Sequence, residues 1–510
     1  MVMNSTLDRK LIIIPALISF LVALLLLYKF SYPISWDVYY HIHMAELYLN
    51  NGLVFWDYRT VAPTGRLIMY PPLFHFILGF FAKLFNISVF DASLIAQPLF
   101  AFILMFAITF VAYRLSDDNV MVALCTGFIA MMSFATFNRA VICTPATLAI
   151  ACMMFCLLFY YEAFKEDNLR KILYSAIFFA LASNLHMATA IITLGVLGLY
   201  LLYLIISCKV NWRYIIVYVI LAVLLSAPWW LYISLNYQMV FNSIAGSYLR
   251  IDEFLIKYYG IIQSLFTFAG FYSLYRNWSD KTVFLGIWSL SIVALSQVPI
   301  LGVDTVSIRL FEVSAYPLIM IAGIGVYEVL NRISKVNLRY LVLALVILYS
   351  IFASVAYVDS YTPDLLDDDD CNETVLPDAF HMVFDPIGSI LRPSIISDRY
   401  GSSMLAHSRY DMTRYMIKNN ISGIVVSQDA IMDTIIVSST NASVIYGGFT
   451  ESIPEYVVDP VHIVNSQASL GELDELGIRY LLIRKDTPIA TYAEVEYEND
   501  DYKLCRIVLK

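Results

Sequence analysis

Long apolar segments alternate with short polar loops along the first 358 residues of the chain. Twelve such segments can be recognised, at about 11–30, 71–86, 92–113, 120–137, 141–162, 171–187, 188–207, 214–235, 254–276, 282–300, 311–330 and 338–358. The first is long enough to cross a hydrocarbon core about 30 Å thick. It is longer than a signal-peptide core and no small-residue cleavage pattern follows it, so we interpret it as a retained anchor. The pattern predicts an α-helical polytopic membrane protein.

The basic residues of the loops predict the orientation, because cytoplasmic loops carry an excess of Lys and Arg. The loops expected inside contain Arg9 and Lys10; Lys165, Arg170 and Lys171; Lys209 and Arg213; Arg276 and Lys281; and Arg332, Lys335 and Arg339. The N-terminus is therefore predicted on the cytoplasmic side of a cell membrane. The tail after residue 358 is predicted to be extracytoplasmic.

One part of the chain conflicts with this alternation. Four apolar segments lie between residues 70 and 165, whereas the loop charges require an odd number of crossings. The 71–86 segment is short and begins with Pro71-Pro72, so it, or a neighbour, is predicted to be re-entrant or interfacial. About eleven transmembrane helices follow, or thirteen if a break is missed. This topology places Arg139 outside and Arg114 inside.

The tail has the pattern of a separate soluble domain. An acidic linker is predicted at 359–375 and an α/β domain at 376–510, after a transmembrane domain at 1–358 whose first outer loop is 31–70. Short β-branched runs predict strands at 423–427, 434–438, 442–446, 478–484 and 502–509, with helices at 411–418 and 469–476. Strands and helices in alternation are typical of an α/β domain.

Composition and charge support this division. The chain is 60% hydrophobic and only 14% charged, whereas soluble domains are roughly a quarter charged. Residues 359–510 contain 25 acids and 11 bases, a net charge of −14, and the remainder carries +5, which gives the total of −9. An acidic tail and a basic membrane part argue against nucleic acid as a partner.

The stretch "SWDVYYHIHMAELY", residues 35–48, follows the first apolar segment and carries candidate chemistry. On a helix, Asp37 and His41 are four residues apart and share a face. His41 and His43 share a face only on a strand, so a zinc site formed with Asp37 would require irregular backbone. An interfacial helix with an aromatic belt is another interpretation. The functional interpretation is that Asp37 is a general base at the membrane surface.

The next stretch, "FWDYRTVAPTGRLIMYPPLFH" (55–75), adds Asp57, Arg59 and Arg66 around a glycine turn and a proline pair. An acid beyond the first membrane helix, a long outer loop and a PTGR…YPPL segment resemble the GT-C glycosyltransferases, membrane enzymes that use polyprenyl-phosphate sugars. The two stretches together look most like the first outer loop of the catalytic subunit of oligosaccharyltransferases. The resemblance covers 1–358 in layout and about 35–80 in detail. It implies that Asp37 is catalytic and that transfer inverts the anomeric carbon.

The sequence departs from that subunit at two places. Its second acidic motif corresponds here to residues 138–145, "NRAVICTP", which contain no carboxylate. Its WWDYG motif corresponds to "ISDRYG", residues 396–401, which keeps only the outline around Asp398. These departures favour a simpler enzyme that moves one sugar from a lipid monophosphate.

Arginines are the expected ligands of the lipid-phosphate leaving group, because the planar guanidinium suits phosphate oxygens. Arg309 is the first candidate, since it follows an outer turn at the mouth of an apolar helix, and Arg139 and Arg66 come next. The alternative for each arginine is an interfacial charge that extends to water. His41, Asp57, Arg59, His186 and Asp398 are candidates for acceptor binding or support. For His186, hydrogen bonding between packed helices is the competing interpretation.

The sequence thus predicts a membrane glycosyltransferase that transfers a sugar from a polyprenyl-phosphate donor to a glycan, lipid or protein acceptor on the outer face. Oligosaccharyltransferase-like transfer to protein asparagine is the alternative within this class. A lipid or polysaccharide transporter, or a non-catalytic membrane scaffold, is the alternative from another class. No metal ligands are assigned, and Mg²⁺ or Mn²⁺ stays an open alternative.

Overall fold

The computed structural model describes residues 8–29, 32–33, 35–236, 248–303, 305–359, 376–385, 404–446, 460–465 and 468–508. Up to residue 359 the chain forms α1 (Ile14–Lys29), α2 (Trp36–Asn51), α3 (Leu73–Phe85), α4 (Val89–Leu115), α5 (Val120–Met131), α6 (Phe134–Ala140), α7 (Pro145–Glu166), α8 (Leu169–Leu185), α9 (Met187–Ile206), α10 (Trp212–Asn236), α11 (Ile251–Glu253), α12 (Ile261–Arg276), α13 (Asp280–Ser296), α14 (Ser307–Arg332) and α15 (Val336–Asp359). Short 3₁₀ helices cover Arg9–Ile13 and Val298–Leu301, and a π-helix at Phe254–Tyr259 continues α11.

Seven of the described helices are long and apolar enough to cross a membrane, and the count is nine if each of two bent pairs is one span. The pairs are α5 with α6, bent by 83°, and the 251–259 segment with α12, bent by 115°. Helices α8 and α13 also pack into the bundle and have 17 residues each, the lower limit for a span. With these two the count is eleven, the lower end of the predicted range.

Helix α3 covers most of the 71–86 segment that conflicted with the loop charges. Its 13 residues give a length of about 20 Å, which is shorter than a hydrocarbon core. The neighbouring α5–α6 pair is bent, so the region between residues 70 and 165 contains two departures from simple crossing. Both lie among the segments in which the sequence predicted a re-entrant or interfacial element.

Glycines allow the central helices α12 and α14 to pack closely. A Cβ atom at Gly270 would lie 2.0 Å from the Ile321 carbonyl oxygen, and one at Gly325 would lie 2.0 Å from the Phe266 carbonyl oxygen. Only a residue without a side chain permits such a backbone approach. This contact is in the buried core of the bundle, beside α5.

The tail contains a five-stranded mixed sheet. Its strands are β3 (Ser422–Ser427), β4 (Asn441–Val444), β5 (Ile478–Arg484), β6 (Ala493–Glu498) and β7 (Tyr502–Ile507), in the order β4-β3-β5-β7-β6. Strand β3 is parallel to β4 and β5, whereas β7 is antiparallel to β5 and β6. The described helices of the tail are α16 (Asp378–Phe384), α17 (Met404–Lys418), α18 (Ala430–Ser439), α19 (Pro460–Val464) and α20 (Leu470–Glu475).

One prediction for the tail was wrong, and one strand was not predicted. Residues 434–438 were expected to form a strand but belong to helix α18. The Asp429 side chain accepts a hydrogen bond from the Ile431 backbone N–H and begins this helix, which is buried over nearly its whole surface. A helix buried all round loses the polar face that reveals a helical period. Strand β6 was not predicted, because only one of its alternate faces is apolar.

The segment that the sequence predicted as the first outer loop joins this sheet along the free edge of β4. The Ala62 N–H donates to the Val444 carbonyl (2.9 Å), and the Val444 N–H donates to the Arg59 carbonyl (2.9 Å). The loop also forms its own two-residue ladder between β1 (Trp56–Asp57) and β2 (Arg66–Leu67). On the other side, α18 packs against α2. The tail is therefore attached to the loop and helix that carry the candidate site.

Candidate functional site

Helix α2 places the predicted acid at its N-terminal end. Ser35 has extended backbone and precedes the helix, so Asp37 falls in the first turn. A carboxylate is favoured there, because the helix N-terminus has a partial positive charge. His41 follows one turn later on the same face, as the sequence predicted. Both side chains line one cavity.

This cavity has a volume of about 300 Å³ and lies where α2 meets the ends of several membrane helices. Its walls come from the 69–71 segment, the turn before α7, the start of α9, one turn of α10 and the first turns of α14. The polar and aromatic side chains that line it are Asp37, His41, Tyr70, Arg139, Thr144, His186, Thr189, Trp230, Arg309 and Glu312. Residues that are far apart in the sequence thus share one space.

Two arginines of the cavity share one carboxylate. Arg139 Nη2 donates to Glu312 Oε2 at 2.8 Å, and Arg309 Nη1 donates to the same oxygen at 3.3 Å. The Arg139 side chain is 8% exposed and that of Glu312 15%, whereas that of Arg309 is 48% exposed. Two guanidiniums that share one carboxylate can still bind a further anion. Glu312 lies three positions after Arg309, whereas its link to Arg139 spans 173 positions.

His186 is oriented by the start of α9. Its Nδ1 accepts the Thr189 backbone N–H at 3.3 Å and lies 2.8 Å from the Thr189 hydroxyl. Since Nδ1 is an acceptor, a neutral ring carries its proton on Nε2. His186 therefore has one N–H donor besides its helix-capping contact. His186 lines the cavity, and its hydrogen bonds to Thr189 are local ones at the start of α9.

His41 is buried and hydrogen-bonded to a second histidine. Its Nδ1 lies 3.0 Å from His75 Nε2. Burial lowers the pKa of His41 well below its ordinary value, and the nearby His75 and His186 lower it further. A neutral His41 at the cavity wall follows. The sequence did not single out His75, because no local spacing connects it to His41.

Asp57 and Arg66 do not line this cavity. Asp57 Oδ2 accepts the Thr60 hydroxyl (2.6 Å) and pairs with His43 Nε2 (2.9 Å), while its Oδ1 accepts the Arg59 N–H (2.9 Å). Burial alone would raise the pKa of Asp57, but His43 and the Thr60 and Arg59 donors hold it well below its ordinary range. Asp57 therefore organises this loop from within.

Arg66 was expected at the donor phosphate, but the structure places it in the interior of the loop. Its Nε donates to the Thr60 hydroxyl at 3.0 Å, and its guanidinium lies 5.4 Å from the centre of the Tyr40 ring. The short β1–β2 ladder points this side chain inward, and it is 2% exposed. Arg66 accordingly has no part in the function proposed below.

Arg59 connects the loop to the tail and does not line the cavity. Its guanidinium donates to the backbone carbonyls of Thr440 (2.5 Å) and Ala442 (2.9 Å), next to the loop's contacts with β4. Asp398, the remaining candidate, lies outside the described residues.

Among the residues that the structure describes, the His, Cys, Asp and Glu side chains form no metal centre. No three His, Cys, Asp or Glu side chains of these residues are grouped so that they could hold one ion. His43, a member of the zinc alternative, pairs with Asp57.

Comparisons with known proteins agree with this architecture. Residues 69–232 match the family model described as dolichyl-phosphate-mannose-protein mannosyltransferase. No curated protein sequence matches the chain significantly. The solved structure of ArnT from Cupriavidus metallidurans is similar over 96% of this chain and 97% of its own, with 14% identity and a TM-score of 0.60.

Two further structures share the fold. The Archaeoglobus fulgidus oligosaccharyltransferase is similar over 93% of this chain and 69% of its own, with 10% identity and a TM-score of 0.64. The arabinofuranosyltransferase AftD from Mycobacteria is similar over 99% of this chain, which spans only 40% of AftD, with 15% identity and a TM-score of 0.57. The chain thus has the fold of the GT-C membrane glycosyltransferases.

Proposed function

We propose that this protein is a glycosyltransferase that moves a sugar from a polyprenyl-phosphate donor to an acceptor hydroxyl. One observation carries the proposal: Asp37, Arg139, His186 and Arg309 line a single cavity. The carboxylate can act as a base for the acceptor hydroxyl. The two guanidiniums can stabilise the leaving phosphate, and the imidazole N–H can donate a hydrogen bond. A structure of ArnT bound to undecaprenyl phosphate has the same fold, with 12% identity and a TM-score of 0.60.

The reaction is a single displacement at the anomeric carbon. The acceptor oxygen forms a bond to this carbon while the bond from the carbon to the phosphate oxygen breaks. The acceptor proton passes to the Asp37 carboxylate, which acts as general base. The bonding electrons leave with the lipid phosphate. Inversion at the anomeric carbon follows from one displacement.

The arginine pair would stabilise the leaving phosphate. This group gains negative charge as the bond breaks, so cations that are already in position lower the barrier. Glu312 holds Arg139 and Arg309 together before the donor arrives, and the Nε2–H of His186 supplies a donor without adding charge. No proton donor is needed for a leaving group that is stable as an anion.

The distribution of lysines supports an outer-face reaction. The cavity lies at one end of the bundle, and the pairs formed by Lys165, Lys171, Lys209 and Lys281 lie at the other ends of the same helices. Lysines accumulate on the cytoplasmic side of membrane proteins. The N-terminus would then be cytoplasmic, and the cavity and the tail extracytoplasmic.

Transfer to protein asparagine is the second candidate, supported by the fold shared with the Archaeoglobus enzyme. In the "NRAVICTP" stretch, where that class would place a second acid, Asn138 accepts the Tyr357 hydroxyl at 2.7 Å. A neutral amide with a structural partner is a poor substitute for a carboxylate. One-sugar transfer therefore fits the described site better.

The test is sugar transfer by purified Asp37→Asn, assayed with a panel of radiolabelled polyprenyl-phosphate sugars. Loss of the carboxylate should reduce transfer at least about 1,000-fold, while the elution volume and the thermal midpoint stay unchanged. Glu46→Gln is the matched control, because Glu46 lies on the same helix and does not line the cavity. Full activity of Asp37→Asn, or equal losses in both variants, would refute the assignment of the base.

A further inference from the structure

We infer a second binding site, for an anionic membrane lipid, between the membrane bundle and the tail. A cavity of about 340 Å³ lies there, on the opposite side of α2 from the candidate active site. It is lined chiefly by Tyr32, Tyr39, Phe90, Tyr410, Arg414 and Ile435. The inference does not depend on the proposed sugar transfer.

Helix α2 separates the two cavities. Tyr39 lines the new cavity, whereas Asp37 and His41, two positions before and after it, line the other. Residues two apart on a helix point to different faces. A ligand beside Tyr39 would therefore support the back of the helix whose front carries Asp37.

The cavity is located at the level of a membrane surface. Tyr32 follows the first spanning helix, and Ser88 and Phe90 mark the start of α4, which is another. Aromatic side chains gather at this level in membrane proteins. Here the rings of Tyr32 and Phe90 meet edge to face at 6.1 Å, and those of Tyr32 and Tyr410 at 4.7 Å.

The lining favours an acyl chain over a carbohydrate. Aromatic rings and the isoleucines form most of the walls, and apart from Arg414 the polar groups are hydroxyls of serine, threonine and tyrosine side chains. A sugar has a hydroxyl on nearly every carbon, and each buried hydroxyl needs a hydrogen-bond partner. A hydrocarbon chain has no such requirement.

Arg414 supplies the charge recognition. It is exposed at the rim, and its guanidinium lies 5.6 Å from the centre of the Tyr410 ring. The neighbouring rim residue Ile417 is 49% exposed, so an apolar and a cationic group adjoin. This combination fits a lipid whose chain enters the cavity and whose phosphate meets the guanidinium, and it favours a net negative headgroup.

The inference can be tested with the full chain in lipid nanodiscs that contain a photoactivatable lipid. Phosphatidylglycerol with a diazirine in one acyl chain should label peptides from 404–439 at least about fivefold more than the matching phosphatidylcholine. Arg414→Gln should reduce phosphatidylglycerol labelling to the phosphatidylcholine level. Arg276→Gln is the charge control, because Arg276 is an exposed arginine at the end of α12, remote from the cavity.

A second variant tests the cavity itself. Ser439 lines it and is partly exposed, so Ser439→Trp should fill the space and abolish labelling of 404–439 by either lipid. Equal labelling by both lipids in the wild type, or equal loss in Arg414→Gln and Arg276→Gln, would overturn the anionic-lipid assignment. Labelling confined to membrane helices, with none in 404–439, would overturn the assignment of a lipid site. That result is expected if the ligand of the cavity is a carbohydrate.

Discussion

At one end of the membrane bundle Asp117 lies between Lys165 and Lys281, and at the other end Glu312 lies between Arg139 and Arg309. The side chains of Asp117 and Lys165 are 60% and 47% exposed, whereas those of Arg139 and Glu312 are 8% and 15% exposed. We call these the basic end and the cavity end. Each carboxylate bridges two cations, yet the surroundings differ.

The difference shows how the same kind of ionic contact can have two uses. Exposed pairs contribute about 0–1 kcal/mol, because water screens them and long side chains lose entropy. At the basic end these contacts therefore add little to stability. A buried guanidinium cannot be solvated in the same way, so removing one partner costs about 3–5 kcal/mol. At the cavity end Glu312 holds the two guanidiniums in place.

The largest expected contrast is between Arg139→Ala and Lys165→Ala. Arg139→Ala removes the proposed charge-assisted contact to the donor phosphate and the ion pair with Glu312, so transfer should fall about 100-fold or more. Lys165→Ala should change transfer less than about twofold. Purified variants are compared in the lipid-linked sugar assay. Equal losses in both variants would remove the distinction between the two ends.

Arg309→Ala should have a smaller effect than Arg139→Ala, because the Arg309 side chain is half exposed. We expect about a tenfold increase in KM for the donor, with kcat changed less. Lys281→Ala, at the basic end, is the matched control. A larger loss of transfer in Arg309→Ala than in Arg139→Ala would contradict this order. It would show that side-chain burial does not predict which of the two proposed phosphate ligands contributes more.

The buried His41 at the cavity end predicts an effect of pH on stability. An unfolded imidazole binds a proton below about pH 6.5, whereas the pKa of buried His41 is lowered, so the folded ring stays neutral. The unfolded state then binds more protons, and stability present above pH 6.5 is lost as the pH falls. The apparent Tm should therefore be lower at pH 5.5 than at pH 7.5.

The His41→Gln variant should show a smaller decrease in Tm over this interval than the wild type. His462→Gln, which changes a histidine 40% exposed in the tail, is the control and should behave as the wild type. Thermal unfolding of the purified protein in one detergent gives the measurement. An unchanged pH dependence in His41→Gln would contradict the assignment of a neutral, buried His41.

The smallest effect is expected for Asp117→Asn. This change removes one charge from an exposed network, so the free energy of unfolding should change by less than about 1 kcal/mol and transfer by less than twofold. Raising the salt concentration should reduce even this change, because exposed pairs are screened. A loss of several kcal/mol would mean that the basic end is a structural element comparable to the cavity end.

Sequence patterns predicted the elements whose signals are local. The i, i+4 spacing of Asp37 and His41 predicted their common face, and β-branched runs predicted the positions of β3, β4, β5 and β7. The short 71–86 segment predicted an element unlike a simple span. Residues 434–438 misled this reasoning, because a fully buried helix and a buried strand have the same apolar composition.

Tertiary structure alone decided which of these residues share a site. Arg66 and Arg139 both appeared as phosphate ligands in the sequence, but a two-residue ladder turns Arg66 into the loop, whereas the bent α5–α6 pair directs Arg139 to Glu312. His75 meets His41 across 34 positions by the same kind of packing. Local spacing determines the face of a helix, and contacts between distant segments depend on how the faces of all the helices pack together.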